Sequence, residues 1–500
     1  MIKTNKYIFL FLIFIGTFLF YLPYFSQEIT GDEGAYAYIA SGISEGKLPY
    51  VDAYDHKPPL LYAIYAIAFK TFGKDILAIR VSATIFAILT TFIVFKITEE
   101  LFNTKAALIA ALFYGIFSSG PMIEGGMGNP ESFMNLFLVL SVYMLILSEL
   151  KGKSSILLFF SGILIGLGTL VKYPAAVNFI LIFLLLVIKN LFEKRSLKET
   201  VFKISIVSIG FLIPLFLTFL IFYINNAWKE MFFWNVIYNL NYAGSANKLI
   251  ILIIFTVMDS AFLWLLSSAA LIYLILNKRN LATVFLSVWF ITSLIAVSVG
   301  PSFGHYFLQI IPVLSVLSSY GIIEILKLKD SKIVNINLKN IGGVMVLILI
   351  VGSLLISSIT HFYLKKNFGD TVLIKYSYWG ILEKQKETAN YLNSHTNAND
   401  YIYVWGADAG IYFLADRKSS TEFINYYPIY NVPNATEELF DDLNRHKPKY
   451  IVIPPETKPY ATLDLFLNFS GEIKEFFVSH YTFETKVGDA AVYRYDITKL

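Results

Sequence analysis

The feature that most constrains the fold is a series of eleven long apolar segments. A bilayer core of about 30 Å needs roughly 20 apolar residues per helix, and open strands cannot satisfy their backbone in lipid. With 56% hydrophobic and only 15% charged residues, the composition agrees, because soluble proteins are roughly 25% charged. The sequence therefore predicts an α-helical polytopic membrane protein with about 11 transmembrane helices, at about 7–23, 77–97, 105–120, 131–149, 155–171, 175–191, 203–224, 249–276, 281–299, 305–326 and 341–362.

The charge distribution divides the chain in two. Residues 363–500 contain 33 of the charged residues and residues 1–362 the other 43, although the second stretch is far longer. We expect a transmembrane domain over 1–362 and a soluble α/β domain over 363–500. Alternating patterns in this tail predict a small, partly parallel sheet with helices, built from helices near 381–394 and 435–445 and strands at 401–405, 449–453 and 490–497.

Composition also excludes several kinds of site. The chain has no cysteine, which excludes cysteine-ligated zinc, iron–sulfur clusters and thiol nucleophiles. A net charge of +4 is too small to indicate a nucleic-acid partner, and no Walker-type glycine-rich loop is present.

The positive-inside rule predicts the orientation. With the N-terminus in the cytoplasm, 17 of the 25 basic residues before residue 363 fall on the cytoplasmic side. The first segment could be a signal peptide, but it lacks a small-residue cleavage site, so we interpret it as a retained anchor. Eleven crossings would then place the C-terminal domain outside the cytoplasm.

The largest outer loop, at 24–76, lies between the first two segments. Its apolar stretch 58–72 begins with Pro58-Pro59, a helix-start signal, and is too short and too rich in tyrosine to span. We expect it to form a helix lying along the membrane surface. The cytoplasmic loops are short and basic, so we expect the chemistry on the outer face.

Asp32 and Glu33 follow the first segment directly. A carboxylate in partly dry surroundings at a membrane surface can act as a general base, since burial raises its pKa toward the working pH. The alternative is a solvated acidic turn that caps a helix starting near Ala35.

A second charged group in this loop contains Asp52, Asp55, His56 and Lys57. Lys57, placed by the two prolines, suits a lipid phosphate. It could equally be an interfacial lysine that reaches the headgroups. Asp52, Asp55 and His56 could instead form a site for a hard divalent metal.

Further polar residues are scattered over the outer side. An ionisable residue at membrane depth is a functional hypothesis by default, although each one alone can be a structural group. These residues are Arg80, Glu124, Asn129, Glu131, Lys172, Asp259, His305 and Tyr306.

Four stretches resemble the C-type glycosyltransferases, in particular the prokaryotic branch related to protein O-mannosyltransferases and the lipid A aminoarabinose transferase. The most specific is the first outer loop. The stretches are Gly31-Asp32-Glu33-Gly34 with Gly46, Pro49-Tyr50, Asp52 and Asp55-His56-Lys57-Pro58-Pro59-Leu60; His305-Tyr306-Phe307-Leu308-Gln309 with Pro312; Tyr403-Val404-Trp405-Gly406 with Ile411-Tyr412-Phe413-Leu414 and Arg417; and Lys447-Pro448-Lys449-Tyr450-Ile451-Val452.

The resemblance implies roles for particular residues. Asp32 would be the base that deprotonates the acceptor hydroxyl, and Glu33 would tune or orient it. Lys57 would hold the phosphate of a polyprenyl-phosphate sugar donor. Apart from the resemblance, Arg80, which opens the second predicted helix, is also predicted to bind the donor phosphate. His56 stands where the aminoarabinose enzyme has a carboxylate. The further candidates are Asp55, His56, Glu131, His305 and Tyr306.

The sequence thus predicts a multi-pass enzyme of the cell envelope that transfers a sugar to a lipid, glycan or protein acceptor on the outer face. A single displacement would invert the anomeric centre. No cofactor is expected, because one lysine can neutralise one phosphate, with a divalent metal as the alternative. A transporter or flippase of a lipid-linked precursor is the alternative function. A non-catalytic scaffold would leave the Asp32 and Lys57 motif unexplained.

Overall fold

The computed structural model describes residues 2–194, 196–242, 249–278, 280–298, 303–328, 379–453, 462–488 and 490–499. The chain is mostly helical and forms two compact units. The predicted span at 341–362 lies outside the described residues.

The first unit consists of Met1–Ser26, Ile79–Ile221 and Leu240–Asn367. Its helices, in chain order, are α1 (Ile2–Tyr21), α4 (Ile76–Leu101), α5 (Thr104–Phe117), α6 (Pro130–Leu145), α7 (Ile156–Val171), α8 (Val177–Glu193), α9 (Leu197–Ile224), α12 (Leu249–Asn277), α13 (Leu281–Val297) and α14 (Ile311–Leu328). Helix α4 begins a few residues before this unit, and helix α9 ends a few residues after it. The numbers α2, α3, α10 and α11 belong to helices of the second unit.

Among the described residues, six helical segments are long and apolar enough to cross a membrane. They are Lys6–Ser26, Ile76–Leu101, Pro130–Leu150, Tyr173–Glu193, Leu197–Ile224 and Ser260–Asn277. Five shorter apolar helices have 10–17 residues. The predicted polytopic helical fold is confirmed. Of the described part of the chain, six segments reach full spanning length by themselves and the other apolar helices are shorter.

The core of this unit is apolar and is drawn from most of its helices. Two glycines let α7 and α9 approach closely. A Cβ atom on Gly162 would lie 2.2 Å from the Val207 carbonyl oxygen, and one on Gly210 would lie 2.2 Å from that of Phe159. Close backbone approach at small residues is how helices pack where lipid removes the hydrophobic driving force.

The predicted helix at 305–326 differs in its first turns. Gly304–Gln309 is a 3-10 helix, and α14 begins only at Ile311. Pro312 explains where α14 begins, because proline has no backbone N–H and is tolerated in the first helical turn.

The second unit consists of Gln27–Ala78, Phe222–Asn239 and Phe368–Leu500. Its helices are α2 (Gly31–Ile43), α3 (Pro59–Phe72), α10 (Trp228–Phe232), α11 (Tyr238–Tyr242), α15 (Trp379–His395), α16 (Gly410–Ala415), α17 (Tyr427–Asn431), α18 (Ala435–His446), α19 (Leu463–Leu467) and α20 (Gly471–His480). The helix predicted from the Pro-Pro start is therefore present as α3.

Five strands of this unit form one mixed sheet in the order β2-β1-β3-β5-β4. The strands are β1 (Tyr401–Val404), β2 (Lys418–Ser419), β3 (Tyr450–Ile453), β4 (Tyr481–Val487) and β5 (Ala490–Tyr495). β1 pairs in parallel with β2 and β3, with Tyr403 opposite Ile451, while β5 is antiparallel to both β3 and β4. The predicted partly parallel α/β sheet is confirmed. The strands β2 and β4 and the helices α16, α17, α19 and α20 were not predicted.

The second unit joins the first outer loop to the C-terminal part of the chain. A Cβ atom on Gly34 of α2 would lie 2.4 Å from the backbone nitrogen of Gly410 at the start of α16. A glycine is therefore needed at position 34, whereas a Cβ atom on Gly410 would lie 3.6 Å from the Gly34 Cα atom, an ordinary contact. The boundary predicted at 362/363 lies outside the described residues and stays a prediction.

Candidate functional site

The candidate site begins at the N-terminus of α2. Thr30 is the N-cap, and its side chain accepts a hydrogen bond from the Glu33 amide at 3.2 Å. The Glu33 carboxylate accepts one in return from the Thr30 amide at 3.0 Å. This capping box buries Glu33 completely and leaves Asp32, in the same turn, exposed. The helix dipole favours a negative charge at this position.

Lys57 lies directly before the first turn of α3, where Pro58 is the N-cap and Pro59 the first helical residue. Its ammonium lies 2.8 Å from Nε2 of His56, and the His56 Nδ1 atom lies 3.3 Å from an Asp55 carboxylate oxygen. An ammonium can only donate. The His56 ring must therefore be neutral, with its proton on Nδ1 facing Asp55 and its Nε2 lone pair facing Lys57.

The environment supports these charge states. Burial by itself would raise the pKa of Asp55, but the hydrogen bond from His56, the Lys57 charge and the Tyr62 hydroxyl hold it well below its usual range. Burial and the Lys57 charge lower the pKa of His56, and Asp55 opposes them only in part. An ionised Asp55, a neutral His56 and a charged Lys57 thus form one relay, the Asp55–His56–Lys57 relay.

Two tyrosines hold the backbone of Lys57. The Tyr50 hydroxyl donates to the Lys57 carbonyl oxygen at 2.6 Å. The Tyr62 hydroxyl approaches the same oxygen at 3.3 Å and donates to Asp55 at 2.7 Å. Tyr50 is fully buried and has a φ of 73°, which is unusual for a bulky residue. Backbone strain of this kind is found where a neighbouring group must be positioned.

Tyr36 lies between the two parts of the predicted site. Its hydroxyl is 3.5 Å from an Asp32 carboxylate oxygen, and its ring centre is 5.9 Å from the Lys57 ammonium. The structure thus brings Asp32 and Lys57 to the same aromatic side chain. Asp32 is exposed, so the described residues of this unit do not give it the partly dry surroundings expected from the sequence.

The first unit contains a second buried charged cluster. Glu131, at the start of α6, pairs with the Lys172 ammonium, which lies 3.2 Å from the centre of the Tyr306 ring. All three residues are less than 10% exposed. A buried lysine held by a carboxylate and an aromatic ring is a costly arrangement that is seldom only structural.

His305 extends this second cluster. Its Nδ1 atom lies 3.2 Å from a Glu124 carboxylate oxygen, which also accepts from the Asn129 side chain at 2.9 Å. The Asn135 side chain donates to the Leu308 carbonyl oxygen at 2.8 Å and so holds the 3-10 segment in place. Three of the predicted candidates, Glu131, His305 and Tyr306, therefore lie together.

The remaining candidates are placed as follows. Arg80 is fully buried in α4 of the first unit, and its predicted partnership with Lys57 stays a prediction. The Asp52 carboxylate accepts from the Leu48 amide at 2.7 Å. Within the described part of the chain, no group of three or more histidine and carboxylate side chains is arranged to hold a metal ion.

Tyr36 and Tyr62 were not predicted as site residues. Tyr50 was noted only as part of the loop motif, and Lys172 only among the scattered polar residues of the outer side. Tyr36 could have been found from its spacing, because it is four residues after Asp32 on the same helix. Tyr50 and Tyr62 contact Lys57, which is seven and five positions away, through an irregular loop that no helical or strand period predicts. The partner of Lys172, Glu131, is 41 positions away.

Solved structures share this architecture over nearly the whole chain. ArnT from Cupriavidus metallidurans, solved bound to undecaprenyl phosphate, has 14% sequence identity and a TM-score of 0.63, with 98% of each chain covered. The archaeal oligosaccharyltransferase AglB from Archaeoglobus fulgidus, solved with an inhibitory peptide and a dolichol-phosphate, has 15% identity and a TM-score of 0.60. That match covers 100% of this chain and 75% of the other. The chain therefore has the fold of a C-type membrane glycosyltransferase, as the resemblance predicted.

Family comparisons point to the same class. Residues 56–222 match the family of dolichyl-phosphate-mannose-protein mannosyltransferases. Residues 382–497 match the C-terminal domain of the competence-induced protein Ccs4. No curated protein is significantly similar to the chain in sequence. The mannosyltransferase match begins at His56 and so includes Lys57, Arg80 and Glu131, whereas Asp32 precedes it.

Proposed function

We propose that this protein transfers a sugar from a polyprenyl-phosphate donor to an acceptor hydroxyl at the outer face of the membrane. The observation that carries the proposal is the Asp55–His56–Lys57 relay, which presents one ammonium next to an exposed carboxylate, Asp32, across Tyr36. The family match and the fold support a membrane glycosyltransferase with a lipid-linked donor. The undecaprenyl phosphate and dolichol-phosphate named for ArnT and AglB agree with this donor class.

The proposed reaction is a single displacement. Asp32 takes the proton of the acceptor hydroxyl as its oxygen attacks C1 of the sugar. The bond between C1 and the phosphate oxygen breaks, and the polyprenyl phosphate leaves with the electron pair. Lys57 stabilises the negative charge that develops on this phosphate. Attack from the face opposite the leaving group inverts the anomeric centre.

Asp55, His56, Tyr50 and Tyr62 act on Lys57 and are positioning residues in this proposal. A lysine side chain has four rotatable bonds and loses considerable entropy when it is fixed. A hydrogen-bonded partner at Nε2 of His56 and a held backbone carbonyl reduce that loss before the donor binds. Glu33 orients Asp32 through the capping box.

Substitutions at Asp32 and Lys57 test the proposal separately. In the purified full-length protein, Asp32→Asn should lower kcat for sugar transfer at least about 100-fold, since general-base catalysis contributes that much, and should leave undecaprenyl phosphate binding intact. Lys57→Ala should weaken that binding about tenfold or more, because a hydrogen bond to a charged group is lost.

The chain offers matched controls. Asp441 and Lys70 are exposed residues of the second unit, and Asp441→Asn and Lys70→Ala should leave both readouts unchanged. Full transfer by Asp32→Asn would refute the base assignment. Movement of the lipid-linked sugar across vesicles without any transfer would favour the transporter alternative.

Because Lys57 supplies the phosphate counter-charge, we propose that the reaction needs no divalent metal. Transfer should continue in excess EDTA. Loss of transfer in EDTA, with recovery on addition of Mg²⁺ or Mn²⁺, would contradict this part of the proposal.

A further inference from the structure

A cavity of about 190 Å³ lies within the second unit, beside the C-terminal half of α2. Its walls come from α2 and the turns after it, from α16, and from the edge strand β2. The residues with functional groups at the cavity are Tyr38, Ser41, Glu45, Lys47, Asp52, Lys74, Tyr412, Asp416, Arg417 and Lys418. Asp52, considered above as a metal ligand, lies at this cavity, but Asp32, Asp55, His56 and Lys57 do not line it. The cavity is therefore separate from the Asp55–His56–Lys57 relay.

The cavity has an apolar floor and a charged rim. Ile39, Ala53 and Phe413 are buried at its base. Glu45, Asp52, Lys74 and Asp416 are exposed around its mouth. A concave site with a mostly apolar base and a few convergent polar groups is the usual form of a small-molecule site.

The rim charges are largely paired with one another. Lys47 lies 3.2 Å from Glu45, and Lys74 lies 2.5 Å from Asp416. The Arg417 guanidinium donates to backbone carbonyl oxygens of Asn393, Ala415, Asp416 and Thr396 and to the Thr396 hydroxyl. An anionic ligand would meet three carboxylates, and a cationic ligand would meet four basic side chains. The cavity therefore favours an uncharged ligand.

The same rim offers many hydrogen-bond donors and acceptors. Carboxylates accept from hydroxyls, and ammonium groups donate to them, while Tyr38 stands as a half-buried aromatic wall. Pockets for drug-sized ligands measure roughly 300–1,000 Å³. This smaller cavity has room for a single ring. An uncharged ring that carries several hydroxyls is a sugar residue.

We propose that this cavity is a binding site for a neutral sugar residue of the acceptor. Tyr38 and Ser41 lie 6 and 9 positions after Asp32 on α2, and a helical rise of 1.5 Å per residue places them about 9 and 14 Å along the helix from that residue. The bound sugar would therefore be remote from the reacting hydroxyl, as in an oligosaccharide or glycolipid acceptor. The identification of this sugar as part of the acceptor rests on the glycosyltransferase function proposed above. The proposal that the cavity binds a sugar does not depend on that function.

The test uses the full-length protein in detergent and three probes: maltotriose, chitotriose and glucose 6-phosphate. Binding is measured by saturation-transfer NMR and calorimetry in the absence of any donor. At least one neutral trisaccharide should bind more tightly than glucose 6-phosphate. Ser41→Tyr, which fills the cavity, should weaken that binding at least tenfold, leave donor hydrolysis unchanged, and raise the KM for a glycan acceptor with little change in kcat.

A matched control and a second variant distinguish a specific loss of binding from misfolding of Ser41→Tyr. Ser479, on the exposed face of α20, is also a helical serine whose hydroxyl donates to a carbonyl of the preceding turn. Ser479→Tyr should bind the trisaccharide like the unmodified protein. The double variant Glu45→Ala with Lys47→Ala removes an exposed ion pair without filling the cavity, and should weaken binding at least threefold.

The outcomes separate this proposal from the previous one. Unchanged trisaccharide binding in Ser41→Tyr and in the double variant overturns the cavity assignment, whatever the transferase activity. Preference for glucose 6-phosphate also overturns it. Trisaccharide binding that Ser41→Tyr abolishes, in a protein that transfers no sugar, supports the cavity as a sugar site and refutes the proposed function.

Discussion

At the scale of single residues, the Asp55–His56–Lys57 relay consists of three consecutive residues whose side chains differ in charge and in hydrogen-bonding role. Asp55 is buried with its pKa held low, burial and the Lys57 charge lower the pKa of His56, and the Lys57 ammonium lies against the His56 ring. Neither His56 nor Asp55 needs to touch the donor in this arrangement. In the proposed function they orient the Lys57 ammonium. Changes at His56 or Tyr50 should therefore alter donor binding, which residues with only a structural role would not do.

The first consequence is a pH dependence set by His56. Protonation removes the Nε2 lone pair and places a second positive charge beside Lys57, so undecaprenyl phosphate affinity should change as the pH falls below 6.5, the usual histidine value. The folded chain binds this proton less readily than the unfolded chain, so acid also costs stability, and stability recovers as the pH rises. In His56→Gln both acid effects should flatten. Binding measured from pH 5 to 8 checks this, and an unaltered acid limb in His56→Gln would contradict it.

The second consequence concerns Tyr50. Tyr50→Phe removes the donor to the Lys57 carbonyl, and a net hydrogen bond is worth about 1 kcal/mol. We expect about fivefold weaker undecaprenyl phosphate binding without loss of folding. Tyr481→Phe is the matched control, because Tyr481 is also buried and donates to a backbone carbonyl, that of Pro448, at 2.7 Å. Equal effects of the two variants on donor binding would argue against a positioning role for Tyr50.

At the scale of helices and strands, α2 and α16 explain why two distant motifs share one chain. Asp32 is at one end of α2, and Gly34, two residues on, packs on Gly410. The aromatic signature after β1 belongs to the same contact, since the Tyr38 and Tyr412 rings lie 5.3 Å apart. The Tyr412 hydroxyl also accepts a hydrogen bond from the Val404 amide at 2.7 Å. The motif in the C-terminal part thus supports the helix that carries the proposed base.

Gly34→Ala tests this contact. Its Cβ would lie 2.4 Å from a backbone nitrogen, which cannot move aside as a side chain could. We expect a loss of about 1–3 kcal/mol in stability from overpacking and a lower kcat through displacement of Asp32. The control is Gly471→Ala at the start of α20, where a Cβ meets nothing within 4 Å. Thermal unfolding and transfer assays measure both, and unchanged values for Gly34→Ala would refute the role of this contact.

At the scale of the whole molecule, folding brings three separated segments into the second unit. Tyr54 of the first outer loop donates to Glu438 on α18 at 2.9 Å, and its amide donates to the Glu422 carbonyl oxygen at 2.8 Å. Burial, a hydrogen bond shared with Asp442, and the charges of Asp442 and Glu438 raise the pKa of Glu422 to about 8. Segments nearly 400 residues apart are thus joined next to a carboxyl group that is protonated at neutral pH.

This carboxyl group predicts how stability depends on pH. A raised pKa means that the folded chain holds a proton that the unfolded chain releases above about 4.5. The stabilisation is therefore complete below about pH 4.5 and is lost as the pH rises through 8. The unfolding temperature should fall between about pH 4.5 and 8, and Glu422→Gln should reduce that fall by a few degrees, on the order expected for about 1 kcal/mol. An identical pH profile in Glu422→Gln would count against the shared proton.

Much of the fold could be predicted because the signals were local. Apolar runs predicted the helices, Pro58-Pro59 predicted the start of α3, and alternating patterns predicted β1, β3 and β5. The helix ends were less predictable: α14 begins at Ile311 because of Pro312, and β2 has only two residues. For the site, the Asp32 and Lys57 motif came from the sequence. Tyr50 reaches Lys57 through an irregular loop whose conformation no residue period predicts, and the partner of Lys172 is 41 positions away.

The sequence by itself determined that this is a polytopic helical membrane protein with an α/β tail, since hydrophobicity and period are properties of consecutive residues. It also supplied the residues of the proposed donor site, which lie within one loop. Only the tertiary structure decided that Glu33 caps a helix, that His56 is neutral between Asp55 and Lys57, and that α2 packs on α16. Charge states and close contacts depend on which groups approach in space, and residues far apart in the chain meet only when it has folded.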